Sequence, residues 1–167
     1  MHKILTTGIL ILTLSQSITA QKLADKEQLC QEIAELLISN NKEEFMARFT
    51  PTKEDLLELA YGKTLNNISE EEKRGFFDST DLTIKMLNEI ISSSFNFLSN
   101  KITESGIQQV ENITLVKTTD SKMGKSKIKN YYFIIHDGEN EYRIEVAGLF
   151  RSERDWIITT AIDPWYY

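Results

Sequence analysis

The apolar rhythm of this chain changes once, near Gly106, and that change limits the fold more than any other feature. Before it, Ile84, Leu87, Ile91, Phe95, Leu98 and Ile102 recur at steps of three and four, the spacing that gathers side chains on one face of an α-helix. After it, apolar residues recur at every second position, as Tyr142, Ile144 and Val146 do between Glu141, Arg143 and Glu145. That is the period of a strand with one buried and one solvated face. Helices first and an antiparallel meander afterwards is the order of an α+β domain. The expected fold is therefore α+β, with N-terminal helices packed on a curved four-stranded antiparallel sheet in the C-terminal half.

Local signals divide each half. Leu29, Ile33, Leu36 and Leu37 make an amphipathic helix of 23–38, which Asn40-Asn41 breaks or caps, and Phe45, Met46 and Phe49 make a second short helical patch ending at Pro51. Thr52 followed by Asp55 has capping-box form, which opens a helix from Lys53 to Tyr61 that Gly62 closes. Ser69 followed by Glu72 opens a long helical stretch from Glu70 towards Asn100, with Gly75 and Asp78-Ser79-Thr80 as candidate points of division. Four strands follow: Gln108 to Thr118, Lys127 to His136, Glu141 to Phe150, and Asp155 to Ile162. Asp137-Gly138 sits in a hairpin connection of up to five residues, and Thr119 to Lys127 reads as a solvated basic hairpin loop. Tyr131-Tyr132-Phe133-Ile134-Ile135 is apolar on both faces. Such a strand needs cover on each side, expected from a helix on one and a partner chain on the other.

The chain starts with Met1-His2-Lys3, then an apolar run from Ile4 to Leu14, then Ser15 to Ala20 with a small residue at its end. This has the form of a cleavable export signal, so the organisation expected is a signal peptide over 1–20 and a single α+β domain over 21–167. A cut after Ala20 removes one lysine and no acid, leaving 147 residues with a net charge of −7 in place of −6. An acidic surface repels phosphate backbones and anionic lipid, which argues against nucleic acid as a partner and against membrane insertion once the signal is gone. Cys30 is the single cysteine, so no disulfide forms within the chain. Its apolar neighbours Leu29, Ile33 and Ala34 mark it as a small buried hydrophobe.

No motif fixes a reaction. Gly124-Lys125-Ser126 has the end of a phosphate-binding loop, but Thr119 stands where the first glycine is needed, and Ile128 begins a strand where a helix is required. Metal binding needs converging histidine, cysteine or carboxylate ligands at set spacings, which the chain does not offer, and Asp137-Gly138-Glu139-Asn140 is too short for a calcium loop. No metal and no cofactor are expected. His136-Asp137 places a potential general base beside a carboxylate, although neighbouring strand residues point to opposite faces. Ser92-Ser93-Ser94 lies in mid-helix without a partner base, and Asn67-Ile68-Ser69 and Asn112-Ile113-Thr114 match the glycosylation acceptor pattern. Tyr132, Tyr142 and Trp156 fall in three successive strands and are the candidate ligand-binding residues, since rings with a polar tip suit a pocket for a small amphipathic molecule. Trp165-Tyr166-Tyr167 is free either to dock on the sheet or to extend into a partner.

The succession Tyr131-Tyr132-Phe133-Ile134-Ile135, then Tyr142-Arg143-Ile144-Glu145-Val146, then Asp155-Trp156-Ile157-Ile158, after an N-terminal helical segment, resembles the small secreted members of the cystatin-like, nuclear-transport-factor-2-like superfamily of Bacteroidetes-type bacteria. The resemblance covers the C-terminal half best, and the helical run from Glu70 to Asn100 exceeds that fold's usual helices. It implies a cone-shaped domain with a pocket between sheet and helix. The expected function is a non-enzymatic periplasmic or secreted domain that binds a small ligand or a protein partner through that pocket. Two alternatives stand beside it: an isomerase- or dehydratase-type enzyme with His136 or a buried acid as base, and a homo-oligomer formed through the two-sided apolar strand.

Overall fold

The computed structural model describes residues 25–62 and 68–166. The expected export signal, Met1–Ala20, lies outside the described residues, as do Asn67 and Tyr167. Helix α1 (residues 25–38) turns Leu29, Cys30, Ile33 and Leu37 inward. It ends in a Schellman arrangement: Asn40 takes a left-handed φ of 51°, its N–H donates to the Leu37 carbonyl, and the Asn41 N–H donates to that of Leu36. Asn41 then caps α2 (Lys42–Phe49) by accepting from the Glu44 N–H. α2 is short, and tertiary burial holds it. Phe45 packs on Phe49 and Phe95 with ring centroids 5.0 and 4.9 Å apart.

Both capping boxes read from the sequence are present, at Thr52/Asp55 opening α3 (Lys53–Tyr61) and at Ser69/Glu72 opening α4 (Glu70–Glu104). α4 is not divided. It runs unbroken for 35 residues, about 50 Å at the helical rise. Gly75 costs it about 1 kcal/mol relative to alanine, while the Ser79 and Thr80 hydroxyls fold back onto the Phe76 and Phe77 carbonyls rather than ending the helix. Burial of Ile91, Phe95, Leu98 and Ile102 outweighs that cost. Leu82, Met86, Ile90 and Phe97 form a second apolar row on the opposite, exposed side of α4.

The meander consists of β1 (Asn112–Met123), β2 (Ser126–Asp137), β3 (Asn140–Arg151) and β4 (Trp156–Pro164), antiparallel and in the order β1-β2-β3-β4. The fold is α+β, as the change of rhythm requires. The first strand starts later and runs further than its apolar pattern suggests. Residues expected in a solvated loop continue the ladder, with Asp120 opposite Lys129 and Lys122 opposite Lys127. An edge strand needs no continuous buried face, so its polar end carries no apolar signal. Gly124, at φ 60°, makes the tight turn, and a Cβ there would strike the Leu59 carbonyl of α3 at 2.8 Å.

The sheet is covered on both faces at one end. Leu149 and Ile158 are opposite each other, as are Phe150 and Ile157, and side chains of neighbouring strand residues point to opposite faces. Leu149 and Ile158 join Tyr131, Phe133, Ile144 and Val146 in the main core beneath α1 and the C-terminal half of α4. Phe150 and Ile157 join Ile128 against Leu56 and Leu59 of α3 on the reverse face. The cover foreseen for the second face of β2 therefore comes in part from α3 of the same chain. Bulges between Lys129 and Tyr131 and between Ala147 and Leu149 bend the sheet to fit both helices.

The β3–β4 turn fastens α3 from below. Arg154 donates to the Asp55 carboxylate and the Thr50 carbonyl, each at 2.8 Å, and the Glu153 N–H donates to the Glu58 carboxylate at 2.8 Å. Asp55 and Glu58 are both 3% exposed, so these bonds replace part of the lost hydration of buried carboxylates; Glu58 Oε1 is left without a partner among the described residues.

Candidate functional site

An apolar hollow lies on the reverse side of the sheet rather than under α1. It is an open cavity of about 480 Å³ between α3, the N-terminal half of α4 and the β1–β2 turn. Leu56 and Leu59 form the α3 wall, Phe76 and Leu87 the α4 wall, and Met123 the end towards the hairpin. Local sequence explains the gap. At the positions of α4 that face α3 the chain carries Thr80 and Thr83, where the half that faces the main core carries Phe95 and Leu98. Small side chains leave the two helices unable to close.

The polar groups here are hydroxyls, and most of their protons are committed. Thr80 donates to the Phe77 carbonyl, Ser79 to that of Phe76, and Thr159 to that of Gly148. What remains to a ligand is their acceptor capacity and the hydroxyl of Thr83. Among the described residues the lining carries no acid, base or thiol.

The three aromatic candidates do not converge. Tyr132 faces away from the core, in an edge-to-face pair with Trp165 at 5.4 Å, with the Lys117 ammonium 4.3 Å from its ring centre. Interaction with the Glu145 carboxylate, and then burial, holds its hydroxyl above the usual tyrosine range. Trp165 thus docks on the sheet through its ring and through its N–H, which donates to the Arg143 carbonyl. Tyr142 packs at the edge of the main core, where burial pushes its hydroxyl up to about 12. Trp156 lies at the far end of the same face, beside Tyr131 and opposite Arg151. Tyr142 and Arg151, the partner of Trp156, stand nine positions apart along β3, about 30 Å at the strand rise.

His136 is half-buried at the other end of β2 from the cavity, with Nε2 3.1 Å from the Thr114 hydroxyl. Asp137 turns away from it and accepts from the Gln108 N–H at 2.8 Å. The pair therefore fastens the start of β1 to the β2–β3 turn. Cys30 is fully buried, and burial, with a smaller contribution from Glu27, pushes its thiol up to about 12. It packs as the small hydrophobe its neighbours suggested. Among the described residues no group of three or more histidine, cysteine or acidic side chains is placed to hold a metal ion, and no helix is long and apolar enough to cross a membrane.

No family model, no curated protein and no solved structure matches this chain.

The cavity is a feature that sequence reasoning missed. Its walls come from residues read as ordinary helix, and the one signal pointing to it was the run of threonines and serines, Ser79, Thr80 and Thr83, on an otherwise apolar-faced helix.

Proposed function

We propose that this protein is an exported, non-catalytic binding domain that takes up a small uncharged apolar molecule in the cavity between α3 and α4. The cavity carries the reading. Its volume of about 480 Å³ falls among those of sites that hold small organic ligands, and its walls are aliphatic and aromatic. Acceptor hydroxyls at Ser79, Thr80 and Thr159 would orient a ligand bearing one hydroxyl or amide donor. Burying a charged ligand there without a counter-ion would be costly. The enzyme alternative is less well served: His136 stands about 30 Å along β2 from this hollow.

The uncharged dye N-phenyl-1-naphthylamine tests the proposal. The full-length protein should enhance its fluorescence saturably, and Thr83→Phe, which fills the cavity from an exposed helix position, should abolish the enhancement without lowering the unfolding midpoint. Met86→Glu, on the exposed apolar row of α4, serves as the control and should leave it intact. Enhancement that survives Thr83→Phe and disappears with Met86→Glu would place dye binding on that row and remove the proposal.

A further inference from the structure

The tip of the β1–β2 hairpin separates two hollows. Met123 and Gly124 border the apolar cavity, and the next two residues, Lys125 and Ser126, border a second cleft of about 360 Å³. This cleft arises where pairing stops. The ladder between β2 and β3 ends at Lys129↔Leu149, whereas β2 continues to pair with β1 as far as Ser126 and β3 with β4 as far as Arg151. The bulge between Lys129 and Tyr131 turns the end of β2 aside, and the cleft occupies the opening.

Strand alternation settles what faces it. Lys127 and Lys129 point to the same side as Leu149 and Arg151, with Trp156 opposite Arg151. Ile128 and Phe150 point the other way, beneath α3. With Lys125 from the turn, four cations line one small cleft in a protein whose net charge is −6. Two carboxylates reach in from its margins: Asp120 holds Lys129 at 2.7 Å and Asp155 holds Arg151 at 2.8 Å. Lys125 and Lys127 form no ion pair among the described residues. The cleft therefore keeps an excess of two positive charges beside the half-buried ring of Trp156.

We propose that this cleft binds a small organic oxyanion monoester, a phosphate or a sulfate. Lys125 and Lys127 hold the anionic head, and the organic substituent lies against Trp156. Ammonium groups donate charge-assisted hydrogen bonds to such oxygens, and a planar substituent gains ring contact with the indole. The site is separate from the apolar cavity, and neither proposal depends on the other.

Trp156 supplies the readout. In a Trp165→Phe background it is the single indole of the chain; it also borders a hollow beside Glu32 and Arg48, so the lysine variants assign any quenching to this cleft. Phenyl phosphate and phenyl sulfate are titrated in separate arms, with inorganic phosphate as a third. Saturable quenching by either ester, with inorganic phosphate binding more weakly, is the expected result, and the tighter ester identifies the head group. Lys125→Gln combined with Lys127→Gln should weaken ester binding by about tenfold or more; both lysines are exposed, and circular dichroism should be unchanged. The proposal fails if neither ester quenches saturably, if the double variant binds as tightly as its parent, or if inorganic phosphate binds as tightly as the esters.

Discussion

α4 serves two packing regions, and they are built differently. Its C-terminal half sends Ile91, Phe95, Leu98 and Ile102, all at 0% exposure, into the main core. Its N-terminal half sends Phe76, Ile84 and Leu87, all only partly buried, towards the smaller cluster beneath α3. Leu87 touches both. The first region closes over its side chains; the second stops short and leaves the cavity. The difference teaches where stability and binding reside in this molecule: large side chains close the main core, while threonines keep the second region open at a lower contribution to stability.

Truncations on either side should expose that difference. Phe95→Ala removes a ring that is fully buried against Phe45 and should cost about 4 kcal/mol in urea denaturation. Leu56→Ala, at a residue 7% exposed that already borders a hollow, should cost about 2 kcal/mol, at the low end for a leucine. Equal losses would mean that the two regions pack alike. Arg154→Ala cuts one of the two fastenings between the β3–β4 turn and α3, leaving the Glu153 N–H on Glu58. It leaves Asp55 with its capping bonds alone, and because Arg154 is 41% exposed the cost should be about 1.5 kcal/mol. Amide exchange should quicken in α3 and not in α1.

How far the sequence discloses this arrangement depends on what each residue must satisfy. The caps at Thr52 and Ser69 were legible because capping is local: a side chain meets an N–H three residues away. The inward row on α4 and the alternation in β3 were legible because one large core imposes a period. Three features were not. The continuation of β1 to Met123 rests on cross-strand pairs such as Asp120 with Lys129, which have no apolar period. The exposed row of Leu82, Met86, Ile90 and Phe97 is interleaved with the buried row, so a single helical pattern concealed two. The cavity depends on α3 reaching the reverse face of the sheet, a choice set by bulges at Asn130 and Gly148 and by Arg154 gripping a residue 99 positions away. Tyr132, Tyr142 and Trp156 were sound as strand aromatics, yet alternation and distance keep them from forming one site.

The β3–β4 turn joins the two regions, since Arg154 reaches α3 while Asp155 reaches α2, and the smallest expected effect tests its second arm. Burial by itself would raise the Asp155 carboxyl, but the Trp156 N–H and the Arg48 guanidinium, with a smaller contribution from Arg151, hold it below the usual aspartate range. A carboxyl whose value is lowered in the folded state binds fewer protons there than in the unfolded chain, so it contributes stability above the ordinary aspartate range, near pH 4, and loses it as pH falls through the lowered folded value. Asp155→Asn should therefore cost about 1 kcal/mol at pH 7, a modest figure because both Asp155 and Arg48 keep about a third of their side chains in water. The gap between variant and parent should narrow steadily below pH 4 and close in strong acid. A cost that stays constant from pH 7 to pH 2 would show that Asp155 acts through the shape of the turn and not through its charge, and would leave the turn's electrostatic links to the charge-assisted bonds that Arg154 and the Glu153 N–H make to α3.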